Sequence, residues 1–142
     1  RSDPSSILGI STIFMKYIII LLFSFISMQI MTKQISELSW EKRLLVISYE
    51  KKNDQIFIKT KKFISDNKCK IEDRNLEIIF YEKFENKDYS KPEFINKKYG
   101  IWLIGYDGII KDFSSDDEIF LRLFDLIDSM PMRKDEMIKD KC

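Results

Sequence analysis

Apolar positions along this chain fall into two patterns. The first is continuous. Arg43–Tyr49 reads R-L-L-V-I-S-Y, Leu76–Tyr81 reads L-E-I-I-F-Y and Ile101–Tyr106 reads I-W-L-I-G-Y. Short apolar runs rich in β-formers predict buried strands, and Ile109–Phe113 predicts a fourth. The second pattern recurs at helical spacing. Ile56, Phe57, Thr60, Phe63 and Ile64 place an amphipathic helix over Gln55–Asp66. Ile119, Phe120, Leu123, Phe124 and Ile127 place another from Asp116 to about Met130, ended by Pro131. Polar punctuation joins these elements. Asp107-Gly108 predicts a two-residue hairpin in which both central positions take positive φ. Ser115-x-x-Glu118 predicts a capping box, with Asp116 and Asp117 adding charge suited to a helix N-terminus. Pro92 opens a short helix that Gly100 ends. Asn67–Asn75 reads as a polar connection, and Ser129 caps a short helix from Met130 to Lys139.

The resulting order is β-α-β-(α)-β-β-α. A helix between the first two strands makes them parallel through a right-handed crossover, whereas the hairpin makes the last two antiparallel. The fold class is therefore α/β, a mixed sheet flanked by helices on the plan of the thioredoxin fold. No internal repeat is present.

Upstream, Met15-Lys16 precedes an apolar run, Tyr17–Met31. A basic residue before a short apolar stretch fits a secretory signal peptide. The run of about 15 residues falls short of the roughly 20 that span a membrane. No small-x-small cleavage pattern follows it, so an uncleaved anchor formed by residues 17–31 stays open. Residues 1–31 are read as leader or anchor and 35–139 as the domain. About 110 residues remain for that domain, enough for a single core.

Composition narrows the chemistry. The chain of 142 residues has 24 Lys plus Arg and 23 Asp plus Glu, a net charge of +1. That balance gives no electrostatic footprint for nucleic acid. Tyr81, Phe84, Tyr89 and Phe94 interleave with lysines, but Glu82, Glu85, Asp88 and Glu93 cancel the field. Histidine is absent, which removes the commonest general base and metal ligand. The two cysteines, Cys69 and Cys142, form no C-x-x-C. Two readings stand for them: a disulfide in an oxidising compartment, or two unpaired thiols.

Four stretches carry a family resemblance. They are Trp40-x-x-Arg43-Leu44-Leu45-Val46-Ile47, Ile71-Glu72-Asp73-Arg74-Asn75-Leu76, Leu103-Ile104-Gly105-x-Asp107-Gly108, and Ile127-Asp128-Ser129-Met130-Pro131-Met132-Arg133-x-x-Glu136-Met137. In this order the series resembles the DUF4174 family, thioredoxin-like domains of unknown function, over roughly Ile35 to Ile138. Similar domains occur in secreted animal sushi-repeat proteins and are grouped with the peroxiredoxin-like superfamily. The resemblance implies a thioredoxin-like fold and an exported protein, and it carries over no catalytic residue. Working thioredoxins place C-x-x-C just after the first strand, where this chain has Ser48-Tyr49-Glu50-Lys51-Lys52-Asn53. They also carry a proline before the third strand, where this chain has Tyr99-Gly100.

The expected function follows: an exported, periplasmic or secreted, non-catalytic module that binds a protein or another cell-envelope component. It uses no cofactor or metal and meets a membrane only through the leader. The competing reading is a one-cysteine thiol-exchange enzyme using Cys69, whose neighbours Lys68 and Lys70 favour a thiolate. The candidate binding corner is Met130, Pro131, Met132 and Arg133: two flexible thioethers and a guanidinium. Its structural counterpart has the methionines filling a gap while Arg133 caps a carbonyl or pairs with Glu136. Asp125 and Asp128 are expected on a solvated helix face, opposite the buried residues.

Overall fold

Among the described residues the four expected strands form in the expected order, with helices between the first two and after the last. In a computed structural model, which describes residues 16–18, 32–96, 98–137 and 142, the chain divides into two units, Arg1–Met31 and Thr32–Cys142. Of the segment expected to be a leader or anchor, residues 16–18 are helical, and the remainder lies outside the described residues. Among the described residues no helix is long and apolar enough to cross a membrane.

In the second unit, a 3-10 turn at Ile35–Leu38 leads into β1 (Arg43–Tyr49). Helices α1 (Gln55–Asp66) and α2 (Lys68–Asp73) return the chain to β2 (Leu76–Glu82). A 3-10 turn at Glu93–Ile95 precedes β3 (Gly100–Ile104) and β4 (Ile110–Ser114). The 3-10 segment Asp117–Leu121, then α3 (Leu123–Asp128) and α4 (Pro131–Glu136), follow. The strands lie in the order β2-β1-β3-β4. β1 pairs parallel with β2, from Arg43 opposite Leu76 to Tyr49 opposite Glu82, and antiparallel with β3, Val46 opposite Trp102.

The central strands are buried along their whole length, as continuous apolar runs require. Their alternate residues feed two cores. Leu45, Ile47, Ile101 and Leu103 face the helices, packing with Ile71, Ile119, Leu123 and Ile127. Leu44, Val46, Trp102 and Ile104 face the other way, against Tyr81, Ile95 and Phe94. That second core is roofed by turns and the 83–99 segment rather than by helices. Burial pushes Tyr81 up to about pKa 12, helped by Tyr89. Its hydroxyl donates to the Ser90 carbonyl at 2.8 Å, which ties the roof to the sheet.

Several local expectations are corrected. The 67–75 connection contains α2, a helix too short to show periodicity and anchored by one buried residue, Ile71. The helix expected from Pro92 is a single 3-10 turn, and Gly100 belongs to β3. Gly100 has φ +153°, and a Cβ there would lie 2.6 Å from both the Phe113 ring and the Ser114 carbonyl oxygen. The hairpin is wider than two residues. Gly105 N–H donates to the Ile109 carbonyl and Gly108 N–H to the Gly105 carbonyl, both at 3.0 Å. Only Gly108 of the pair is left-handed, at +73°, as in a turn closed by a bulge. The helix after β4 is capped by Asp116, which accepts from Glu118 N–H at 3.0 Å, and not by Ser115. It breaks at Arg122, whose guanidinium reaches back to Asp112 at 2.6 Å. Ser129 ends α3, while Met130 precedes α4 with Pro131 in its first turn.

Candidate functional site

The four stretches that carry the family resemblance meet at one end of the sheet. Arg43 begins β1 and is fully buried. Asp73, Arg74 and Asn75 join α2 to β2, with Asn75 in the left-handed conformation that this residue type tolerates. Tyr106 leads the hairpin turn. Asp128 closes α3, and α4 supplies Arg133 and Glu136, three apart on one face.

Three guanidiniums here face three carboxylates. Arg43 Nη1 donates to Glu136 Oε2 at 2.9 Å and to the Arg74 carbonyl at 2.8 Å. Its guanidinium carbon lies 4.1 Å from the centre of the Tyr106 ring, a cation–π contact. Arg74 Nη2 donates to Asp128 at 2.6 Å, and Arg133 Nε donates to the other oxygen of that carboxylate at 3.1 Å. Arg133 also binds the Asp73 carboxylate, caps the Asp73 carbonyl at 2.9 Å and lies 3.6 Å from Glu136. Tyr106 donates to Glu136 at 2.9 Å and accepts from Asn75 at 3.0 Å; Asn75 accepts in turn from Lys42 at 2.7 Å.

Electrostatics follow the geometry. Burial pushes the Asp128 carboxyl up, but hydrogen bonds from Arg74 and Arg133 outweigh it, so its pKa lies below the ordinary aspartate value. Burial works to lower the pKa of Arg133, yet the Asp128 and Asp73 contacts raise it. Burial, opposed by the Asn75 hydrogen bond, raises Tyr106, keeping its hydroxyl protonated as a donor to Glu136.

Asp128 makes stability acid-sensitive. A carboxyl whose folded pKa lies below its unfolded value stabilises the fold above that unfolded value, near 3.9, and loses the contribution as pH falls through the folded pKa. Asp107, Asp112 and Asp116 are shifted the same way. The urea midpoint is therefore expected to fall steeply below about pH 4. Asp128→Asn is expected to shallow that fall. A midpoint unchanged between pH 5 and 2 would contradict the pairing.

The expected corner is divided by the structure. Arg133 is 1% exposed and belongs to the network rather than to the surface. Met130 is half-buried against the helical core, while Pro131 and Met132 are exposed. With Trp40, Tyr106 and Arg43 they line a cavity of about 230 Å³. A second groove of about 390 Å³, between the Ile35–Leu38 turn and the 90–94 segment, shares Gly105 with it.

Other candidates stand elsewhere. Cys69, exposed on α2, is bonded to Cys142, with Cα atoms 6.0 Å apart. Asp117 pairs with Lys59 at 2.8 Å, and among the described residues no cluster of Cys, Asp or Glu is arranged to hold a metal. Asp125 is exposed as expected, but Asp128 is not on a solvated face; the two guanidiniums draw it inward. Where a dithiol would sit, the Glu50 and Lys51 N–H groups donate to Asp54 at 2.9 Å. Sequence reasoning had Arg133 cap a carbonyl or pair with Glu136, and both contacts form, but it missed Arg43, Asp73, Arg74 and Tyr106 as members of the same group. The available signal was an arginine heading a strand with no other charge.

The DUF4174 family model, a domain of unknown function, matches residues 34–136. No curated protein and no solved structure matches the chain.

Proposed function

The chain belongs to the DUF4174 family, and from that premise we propose an exported, non-catalytic binding module on a thioredoxin-like frame, with a protein or another cell-envelope component as its partner. The sheet order β2-β1-β3-β4, with β1 and β2 parallel across a helical connection, supports the frame. The Cys69–Cys142 bond supports export, since such bonds persist in oxidising compartments. One observation carries the binding role. The residues of the family motifs pair their charges with one another, so they brace the fold, and the bracing holds up an exposed apolar corner at Trp40 and Met132. A guanidinium held by carboxylates keeps its protons near neutral pH, so bracing is what this chemistry performs.

Thiol exchange is the competing reading, and it requires the Cys69–Cys142 bond to open. Incubation of the full chain with a disulfide substrate and a thiol reductant is expected to give no turnover above background. A photo-crosslinking residue placed at Met132 is expected to yield a discrete adduct in the cell envelope, lost in Trp40→Gly. Turnover abolished by Cys69→Ser would replace the binding reading with the enzymatic one. No adduct from position 132 would remove the binding corner.

A further inference from the structure

The near-zero net charge conceals a separation of charge within the second unit. Between residues 51 and 70 stand seven lysines and two aspartates. Between residues 110 and 137 the balance reverses, with eight acidic residues against four basic ones. The basic stretch comprises the turn after β1, α1 and most of α2. Its inward side is apolar: Thr60 is buried, and Ile56, Phe57, Phe63 and Ile64 pack on the helical core. The lysines therefore stand outward.

Few of them are neutralised. Lys59 pairs with Asp117 at 2.8 Å, and Lys68 lies 3.9 Å from Glu72. Among the described residues, Lys51, Lys52, Lys61 and Lys62 form no ion pair, and all four are exposed. Lys59 and Lys62 are three apart on α1, a spacing at which like charges destabilise a helix. Ile58, four before Lys62 on the same helix, is 49% exposed.

The choice of cation bears on the partner. Arg43, Arg74, Arg122 and Arg133 lie outside the basic stretch, and each is held by a carboxylate of the fold. Guanidiniums match planar carboxylates in a fixed geometry, whereas ammoniums are hydrated point charges on flexible stems. A face built from lysine alone responds to charge density rather than to shape. An exposed isoleucine among those lysines adds nothing to a purely ionic contact, but it suits the headgroup boundary of a membrane.

We propose that the α1 face docks on an anionic lipid surface. The lysines meet the negative headgroups, Ile58 enters the boundary, and the acidic 110–137 side is repelled, which fixes the orientation of the unit. This adds a membrane contact to the one expected through residues 17–31. It concerns a different face from the Trp40 and Met132 corner and does not rest on it.

The test treats the full, disulfide-intact chain with an amine-reactive reagent in the presence of vesicles and locates the labelled lysines by mass spectrometry. Vesicles of neutral phosphatidylcholine are compared with vesicles that also contain anionic phosphatidylglycerol. The apolar run 17–31 is offered hydrocarbon by both, so the difference between them reads the charged face. Labelling of Lys52, Lys61 and Lys62 is expected to fall on the anionic vesicles alone, and the protection should fade as salt is raised. Lys134, exposed on the acidic side, should label unchanged. The double variant Lys52→Gln, Lys62→Gln should lose about 30-fold of the preference for anionic vesicles, about 5-fold per lysine. Ile58→Ser, which leaves every charge in place, should lose about 5-fold. Equal labelling on the two kinds of vesicle, or protection that includes Lys134, would overturn the inference. Protection by soluble dextran sulfate with none by anionic vesicles would overturn it in favour of an acidic polymer. Crosslinking from Met132 reads another part of the surface, so the lipid contact and the binding corner fail separately.

Discussion

Arg133→Met is expected to lower the free energy of unfolding by about 3–5 kcal/mol, the range for removing one partner of a buried ion pair. Methionine keeps much of the volume and removes the charge. Arg133 is 1% exposed and the Asp73 side chain 4%, so the Asp73 carboxylate is poorly hydrated and keeps the longer 3.8 Å approach of Arg74 in place of its buried partner. Asp128 keeps Arg74 and is less affected, but the Asp73 carbonyl loses its cap. Urea unfolding at pH 7, with Met132→Ala as a neighbouring control, measures the effect. The control should cost well under about 1 kcal/mol, as exposed positions do. A loss below about 1 kcal/mol for Arg133→Met would mean that the cluster is solvated, like a surface ion pair.

The same pair of residues shows why the fold was legible and the site was not. Met132 and Arg133 are adjacent in sequence, and spacing alone put them together at a surface corner. The structure sends one outward and buries the other. Periodicity reports which face of an element is apolar, so β1, α1, β2 and the Ile119–Ile127 face were readable. It cannot report a charged residue whose partners arrive from another element. Asp73 and Arg133 are 60 positions apart, and Arg43 and Glu136 are 93 apart. Their burial depends on strand order and helix docking, which local pattern does not encode. Short elements failed for a related reason. At six residues, α2, α3 and α4 each complete fewer than two turns, too few for a repeat to register. Tyr106 was hidden differently: it filled the variable position of a turn motif, and its role comes from its hydroxyl meeting Glu136.

Opening the Cys69–Cys142 bond should be the other large loss. The bond closes a separation of 73 residues, for which chain entropy alone gives about 4.4 kcal/mol. A loss of about 2–4 kcal/mol is expected for Cys142→Ser, because unfolded chains retain some structure that the ideal value ignores. The bond also has a local role. Cys69 and Asp73 share α2, and Arg133 on α4 grips Asp73, so the bond and the ion pair act on the same short helix. The two losses are therefore expected not to add. A double-mutant cycle between Arg133→Met and Cys142→Ser should show coupling above about 0.5 kcal/mol, the usual scatter for independent sites. Strict additivity would mean that the disulfide works through the unfolded chain alone. Coupling would mean that it helps to seat α2 against α4, and so to hold the floor beneath Trp40 and Met132.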